Sequence, residues 1–176
     1  MRQRTIAPFT FAFPRPKENL PRKMTIRRLE IKDTDRVSEI ENKSFLNPWS
    51  KEAIKESILR SVTESPSFVI TACAFEDELC GYAFLYIAAG EGELVNIAVD
   101  EKMRGCGIGT RLIEFLVSEA EKNGTPLESI CLEVRKSNDS AIRLYEKNGF
   151  ENLGIRKNFY SNPKEDAIIM KMALGG

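Results

Sequence analysis

The sequence predicts an α/β (α+β) protein in which about four helices flank one mixed, mostly antiparallel sheet of seven strands. Three strand-like segments with short charged connections follow one another between residues 67 and 99, as in antiparallel sheets. After them, segments with helical and strand periodicity alternate to the end of the chain. A chain of 176 residues suits one domain and can bury a full core.

The first half is predicted to form a strand, two helices and the three antiparallel strands. Residues 25–31 alternate in polarity with the period of a strand. Asp33 or Thr34 can cap a helix that runs to about Phe45, and Ser50 can cap a second helix. The strands that follow are predicted at residues 67–74, 79–88 and 93–99.

The second half is predicted to begin with a helix at about residues 106–122, because apolar residues recur there every three or four positions. Asn123-Gly124 provides a left-handed stop for this helix. The remaining predicted elements are a strand at 129–134, a helix that Ser137 or Asn138 caps and Asn148-Gly149 ends, and strands at 151–157 and 166–173.

The composition argues against several classes of function. The 26 basic and 26 acidic side chains cancel and the pI is near 6.4, so no strong overall field attracts nucleic acid or a membrane surface. No apolar run reaches the roughly 18 residues of a transmembrane helix. The chain has no histidine and its four cysteines lack Cys-x-x-Cys spacing, so we predict no metal site. Reduced thiols are typical of the cytoplasm, where we expect the protein.

Residues 1–23 differ in composition from the rest of the chain. They are basic and rich in proline, with Phe9, Phe11 and Phe13 at alternate positions. We interpret them as a leader that is flexible or docks on the domain or on a neighbour. The folded domain is predicted at residues 24–174, and a monomer or weak homodimer is expected.

A glycine-rich turn carries the strongest functional signal. Residues 104–110 read Arg-Gly-Cys-Gly-Ile-Gly-Thr, follow an apolar strand and open an amphipathic helix. Glycines let a ligand approach the backbone, and the free N–H groups of a helix N-terminus attract an anion such as phosphate. The segment lacks the Gly-Lys-Ser/Thr end of a Walker loop, whereas its spacing to Glu128 and Glu133 leaves a dinucleotide fingerprint open. The structural alternative is an ordinary tight turn that binds no ligand.

Ordered motifs around this turn resemble those of one enzyme family. They are Ile97-Ala-Val-Asp, Arg104-Gly-Cys-Gly-Ile-Gly, Leu132-Glu-Val-Arg, Ser137-Asn-x-x-Ala-Ile-x-Leu-Tyr-Glu, Gly149-Phe and Glu165-Asp-Ala-x-x-Met. The set resembles the GNAT superfamily, in particular the protein N-terminal acetyltransferases of the bacterial RimI-like group and of archaea. Phe45-Leu-Asn-Pro-Trp-Ser resembles the substrate loop of the RimI-like group. The resemblance covers about residues 24–174 and implies the GNAT fold, whose splayed central strands hold acetyl-CoA.

The resemblance implies acetyl-CoA as the cosubstrate and assigns residues to it. The backbone of Ile97, Ala98 and Val99 would pair with the pantetheine arm, with the N–H of Ile97 facing the thioester oxygen. The loop around the pyrophosphate would consist of Arg104, Gly105, Cys106, Gly107, Ile108, Gly109 and Thr110. Asn138, at the start of the next helix, would hydrogen-bond the arm of the cosubstrate.

Two residues match the acid–base pair of the family. Glu133 matches the general base, and Tyr145 matches the general acid toward the coenzyme A sulfur. A phenol with a pKa near 10 is neutral at pH 7 and can protonate a leaving thiolate. The structural alternatives are a salt bridge of Glu133 with Arg135 or Arg143, and a core position for Tyr145 beside Phe150.

The accepting amine is predicted to be the α-amine of a protein or peptide N-terminus, with ribosomal and nascent chains as candidates. About a tenth of an α-amine with a pKa of about 7.7–8.0 is neutral at pH 7, whereas a lysine amine near 10.4 needs roughly 300-fold more help from the base. Phe45, Pro48, Trp49 and Tyr160 would line a slot for the peptide, although Trp49 could equally staple helices to the sheet. Acetylation of lysine or of a small amine, and a partner-dependent coenzyme A-binding subunit, stay open as alternatives.

One position departs from the family pattern. The pair that is often Tyr-Tyr in the family is Phe159-Tyr160 here, so one phenolic hydroxyl is absent. Its loss puts one hydrogen bond to the peptide backbone in doubt. Glu41 and Glu165 are further candidates for contact with the amine.

Overall fold

The computed structural model describes residues 24–63, 69–75, 77–125 and 127–174, and the leader predicted at 1–23 lies outside them. The strands are β1 (Thr25–Arg27), β2 (Val69–Phe75), β3 (Leu79–Ala88), β4 (Glu91–Val99), β5 (Ser129–Arg135), β6 (Glu151–Ser161) and β7 (Lys164–Ala173). The helices are α1 (Thr34–Ser44), α2 (Lys51–Thr63), α3 (Ile108–Lys122) and α4 (Asp139–Lys147). The predicted fold class, a mixed sheet of seven strands flanked by four helices, is confirmed.

The sheet opens at its centre. Its strand order is β1-β2-β3-β4-β5-β7-β6, and β4 and β5 are the parallel pair among antiparallel neighbours. These two strands pair only where residues 91–93 face residues 129–131. Because β4 continues to Val99 and β5 to Arg135, the strands diverge beyond the pairing. The edge of β4 that faces β5 is therefore free of strand pairing from Leu94 onward.

A bulge bends β4 within the part of the strand that does not pair with β5. Phe84 of β3 faces Asn96, but the next residue, Leu85, faces Leu94, so Val95 is an extra residue in β4. An extra residue in one strand increases the local twist and redirects the side chains that follow it. The segment from Ile97 to Val99 thus leaves the bulge at a new angle.

Two hydrophobic cores fix the sheet from both faces. On one face, Ile108, Leu112 and Leu116 of α3 pack against the strands together with Tyr145 and Phe150. On the other face, the core contains apolar residues of α1, α2 and β3: Val37, Ile40, Ile54, Ile58, Tyr82 and Phe84. Helical spacing of apolar residues produces these buried stripes. The first of these cores holds α3 and α4 beside the diverging strands.

Several boundaries differ from those predicted. β1 ends at Arg27 rather than at residue 31, because Glu30 and Asp33 close a turn in which each accepts a hydrogen bond from the other's N–H, at 2.9 and 2.8 Å. The helix expected from Cys106 begins at Ile108, because Gly107 has a left-handed conformation with φ 81°. Glycine adopts this conformation without the penalty that other residues meet.

The last hairpin is longer than predicted, with strands at Glu151–Ser161 and Lys164–Ala173. Asn158 interrupts its pattern with φ 53°, and its N–H donates to the Asp166 carboxylate at 2.8 Å. The register of the hairpin shifts between Arg156 and Tyr160 for the same reason. Because the irregularity interrupts the alternation of residues along the strand, the sequence pattern did not predict the full length of the hairpin.

Candidate active site

A cleft of about 590 Å³ lies beside the diverging strands. It is bounded by the segment Ile97–Val99 of β4, by the turn before α3 and by α4, and Phe45 also lines it. The charged residues that line it are all basic: Arg104, Arg143 and Lys147. The cleft therefore suits an elongated ligand with negative charge.

The turn before α3 forms the anion-binding end of the cleft. Gly105 and Gly107 are left-handed, with φ of 78° and 81°, and a Cβ at Gly105 would meet no atom within 4 Å. The first N–H to bond within α3 is that of Arg111, which donates to the carbonyl of Gly107 at 3.2 Å. The N–H groups before it in the helix have no intrahelical partner and can receive phosphate oxygens.

Arg104 anchors this turn to its surroundings. Its Nε donates to the carbonyl of Val99 at 3.1 Å, and its Nη2 lies 3.5 Å from the hydroxyl of Ser44. The guanidinium thus connects the end of β4 with the end of α1. These contacts bring the predicted loop and the predicted strand segment to the same cleft.

The third glycine of the turn serves a packing contact. A Cβ at Gly109 would lie 2.8 Å from Leu144 Cδ2, so the missing side chain lets α4 approach α3. Gly109 also lines the cleft through its backbone. The alternating glycines therefore have two roles: Gly105 and Gly107 shape the turn, and Gly109 admits the neighbouring helix.

Asn138 caps α4 with the oxygen of its side-chain amide. Its Oδ1 accepts the N–H of Ala141 at 3.2 Å and the hydroxyl of Ser140 at 3.1 Å. Its Nδ2 has no hydrogen bond within the described residues, and Asn138 lines the cleft. The amide can therefore cap the helix and still donate to a ligand.

Glu133 lies on the part of β5 that diverges from β4. Its side chain is 25% exposed, and its Oε1 is 3.1 Å from Nη1 of Arg156 on β6. Among the residues that the structure describes, neither Arg135 nor Arg143, the partners in the structural alternative, forms a salt bridge with Glu133, and Arg135 pairs with Glu165 instead. Within the described residues no hydrogen bond reaches Oε2 of Glu133, which leaves one carboxylate oxygen able to accept a proton.

Tyr145 is 7% exposed and lines the cleft from α4. Its ring packs against Phe150 with the centroids 5.6 Å apart. Burial raises the pKa of the phenol, and the nearby Tyr160 raises it further. Tyr145 therefore combines the core position with an opening on the cleft, and its hydroxyl stays protonated at neutral pH.

The predicted peptide-binding residues lie in different surroundings. Phe45 lines the cleft, and Pro48 is exposed in the connection before α2. The ring of Trp49 packs on Phe84 with the centroids 5.5 Å apart, which is the helix-stapling arrangement. The hydroxyl of Tyr160 lies 3.4 Å from the carbonyl of Glu133, so the last hairpin reaches the base candidate.

Glu41 holds the connection before α2 from inside the core. The carboxylate is 1% exposed and accepts the N–H of Trp49 at 2.8 Å, Nδ2 of Asn96 at 3.1 Å and the hydroxyl of Tyr82. Burial and the charge of Glu41 raise the pKa of Tyr82. Both carboxylate oxygens are thus occupied by protein donors, and Glu41 lies away from solvent.

Residues 34–150 match the model of the acetyltransferase (GNAT) family. The chain belongs to this family. It is therefore an acetyltransferase, and the resemblance drawn from its motifs is confirmed. The family assignment agrees with the open centre of the sheet and with the basic cleft beside it.

Relatives of similar length extend the comparison. The ribosomal protein bS18-alanine N-acetyltransferase of Escherichia coli is 33% identical over 152 residues, covering 85% of this chain and 97% of the relative. The enzyme of the same name from Haemophilus influenzae is 33% identical over 148 residues, covering 82% of this chain and 95% of the relative.

Solved structures show the same fold. The crystal structure of the Escherichia coli ribosomal-protein-S18-alanine N-acetyltransferase has a TM-score of 0.73 and 33% identity, covering 87% of this chain and 95% of that chain. Ard1 from Thermoplasma volcanium has a TM-score of 0.75 and 27% identity, covering 87% of this chain and 99% of that chain.

Sequence reasoning missed several contacts around the site, although it had named Arg135 and Glu165 for other partners. Arg156 of β6 pairs with Glu133 of β5 across the intervening strand β7. Arg135 and Glu165 form a partly buried pair next to Tyr160. The motif Leu132-Glu-Val-Arg contained Arg135, but its partner lies 30 residues away. In the part of the chain that the structure describes, no helix is long and apolar enough to cross a membrane, and no group of side chains could hold a metal ion.

Proposed function

We propose that this protein transfers the acetyl group of acetyl-CoA to the α-amine of a protein N-terminus, by direct attack while both substrates are bound. The observation that carries the proposal is the opening between β4 and β5, which has Glu133 on one strand and a basic cleft beside it. The two relatives named as bS18-alanine N-acetyltransferases support an N-terminal alanine as the first substrate to test. A substrate of that kind would place the reaction in the cytoplasm.

The cleft fits acetyl-CoA by its charge and by its free backbone groups. The unpaired edge of β4 at Ile97–Val99 would receive the pantetheine arm as an added strand. The N–H groups at the start of α3 would receive the pyrophosphate, with Arg104 beside them. The Nδ2 of Asn138 would donate to the arm.

Two proton movements are left to the side chains, since acetyl-CoA supplies the acetyl group as a thioester. Oε2 of Glu133 would take a proton from the attacking α-amine, directly or through water. The hydroxyl of Tyr145 would donate to the leaving sulfur. The N–H of Ile97 would stabilise negative charge on the thioester oxygen as the amine attacks.

The α-amine suits this site better than other amines do. A single carboxylate base is enough for an α-amine, of which about a tenth is neutral at pH 7. The exposed Phe45 and Leu46 before α2 offer apolar contacts to the first residues of a peptide.

The proposal is tested by acetyl-CoA turnover on matched peptides. One peptide begins with a free alanine, and its control carries a blocked N-terminus and an internal lysine. Mass spectrometry locates the acetyl group. We expect the acetyl group on the α-amine of the first peptide and none on the control.

Acetyl only on lysine would refute the proposal. Binding of acetyl-CoA without turnover on any peptide would refute it as well and would favour a partner-dependent subunit. A panel that begins with serine, alanine or Met-Leu then ranks the preference for the first residue.

A further inference from the structure

The turn between β6 and β7 is held from two sides. Asn47, in the connection between α1 and α2, donates its Nδ2 to the carbonyl oxygen of Asn162 at 2.7 Å. Arg135, at the end of β5, donates to the same oxygen at 3.1 Å and to the carbonyl oxygen of Pro163 at 3.3 Å. The turn therefore links the connection before α2 with the strand that carries Glu133.

Glu165 extends these contacts to α4. Its Oε2 lies 3.1 Å from Nη1 of Arg135, and its Oε1 accepts the N–H of Ser137 at 2.6 Å. Ser137 immediately precedes Asn138, which caps α4 and lines the cleft. Hydrogen bonds from Ser137, together with Arg135, hold the pKa of Glu165 below its usual range, so the carboxylate is charged at neutral pH.

Arg135 has the geometry of a fixed connector. Its guanidinium carbon lies 4.0 Å from the centroid of the Tyr160 ring, and the side chains of Arg135 and Glu165 are each 19% exposed. A planar guanidinium that stacks on a ring and donates to three acceptors loses little entropy per bond. An ordinary surface ion pair does not need a guanidinium that is held by this many contacts.

We propose that Arg135 and Glu165 are positioning residues that tie the peptide-facing β6–β7 turn to the acetyl-CoA-facing start of α4. The inference rests on the proposed function, because it takes the turn to face the peptide and α4 to face acetyl-CoA. Without the pair, the turn and the segment before α4 move independently, and each substrate meets a less ordered site. Neither side chain takes part in proton transfer.

Two substitutions of Glu165 separate the two halves of this connection. Glu165→Gln keeps an oxygen for the N–H of Ser137 but removes the charge that pairs with Arg135. It should raise the peptide KM about tenfold and leave the Kd of acetyl-CoA within about twofold. Glu165→Ala removes both contacts, so it should raise the peptide KM and the Kd of acetyl-CoA, each by about five- to tenfold. In both variants kcat should change by less than about threefold.

A matched control comes from another ion pair of the same length. Glu91 of β4 and Lys171 of β7 are also 3.1 Å apart, and Glu91 faces Ser129 at the start of β5, whereas Arg135 is at the end of that strand. Glu91→Ala should leave both constants within about twofold of wild type. Arg135→Lys keeps the charge but loses the fork, so it should raise the peptide KM with an unchanged melting temperature.

The outcomes distinguish the possible failures. Unchanged constants in Glu165→Ala, Glu165→Gln and Arg135→Lys would overturn the inference. Equal changes in Glu91→Ala would overturn it too, because a general loss of stability would then explain them. If the wild type acetylates no amine, the proposed function fails, while the Kd of acetyl-CoA in Glu165→Ala still decides the half of the inference that concerns α4.

Discussion

Arg156 of β6 and Glu133 of β5 form an ion pair in which Nη1 lies 3.1 Å from Oε1. The arginine side chain is 58% exposed, and its guanidinium also lies 5.0 Å from the centroid of the Phe159 ring. An exposed ion pair contributes at most about 1 kcal/mol to stability. The pair therefore gives Glu133 little structural importance, and a large effect of its loss on the reaction would have to come from chemistry.

Glu133→Gln should lower kcat by about 100-fold, because the amide cannot take the proton of the amine. The Kd of acetyl-CoA should stay within about twofold, since Glu133 does not line the cleft that would hold it. Steady-state kinetics with an N-terminal alanine peptide and calorimetry with acetyl-CoA provide the two measurements. Arg156→Ala is the control and should retain at least a third of kcat. If kcat fell by similar factors in Glu133→Gln and Arg156→Ala, the ion pair, and not proton transfer to Glu133, would explain the loss of activity.

Tyr145→Phe should lower kcat by about 100-fold with little change in the melting temperature. The ring that packs on Phe150 remains, and only the hydroxyl is removed. Because burial raises the pKa of Tyr145 above the ordinary value of 10.0, the phenol keeps its proton to a higher pH than a free tyrosine. The pH profile of kcat should therefore show no loss that is due to Tyr145 below pH 10.0. If kcat of the wild type fell as the pH rose through the neutral range, and this fall disappeared in Tyr145→Phe, the expectation would be contradicted.

The order of the helices and strands could be predicted because the apolar residues of most of them recur with the period of a helix or of a strand. Apolar residues at helical spacing and the stop at Asn123-Gly124 place α3, and the cap at Asn138 places α4. The motif set also places the glycine-rich turn and Tyr145 at one cleft, as the structure does. These patterns depend on residues that are close in sequence, so they can be recognised without knowledge of the tertiary fold.

The contacts that complete the site are not local and could not be predicted. Arg156 of β6 meets Glu133 of β5 across the intervening strand β7, and Asn47 meets Asn162 over a separation of 115 residues. Exposed polar residues have no period that would reveal their partners.

Glu41→Ala should lower the free energy of unfolding by about 3–5 kcal/mol, because it leaves three buried donors without an acceptor. The donors are the hydroxyl of Tyr82, the amide of Asn96 and the N–H of Trp49. Urea denaturation measures the change. Glu39→Ala, which removes an exposed partner of Arg36, is the control and should change the free energy by less than about 0.5 kcal/mol. A loss in Glu41→Ala no larger than that of the control would show that water replaces the carboxylate.

Asp33→Asn should lower the free energy of unfolding by about 3 kcal/mol at neutral pH, and by less in acid. Asp33 is buried and receives two hydrogen bonds from Arg27, at 2.7 and 2.9 Å. Burial raises the pKa of this carboxyl, but hydrogen bonds from Arg27 and from the N–H of Glu30 lower it more, to below the ordinary value of 3.8.

A lowered pKa in the folded state means that Asp33 stabilises the protein above pH 3.8 and loses this contribution as the pH falls further. Urea denaturation at pH 7 and at about pH 3 should therefore show a smaller difference between wild type and Asp33→Asn at the lower pH. The exposed Asp35, which pairs with Lys51, provides the control variant Asp35→Asn, with little effect at either pH. If the difference at Asp33 were the same at both values, the ionised carboxylate would not be the stabilising form, and the shape of the side chain alone would account for its effect.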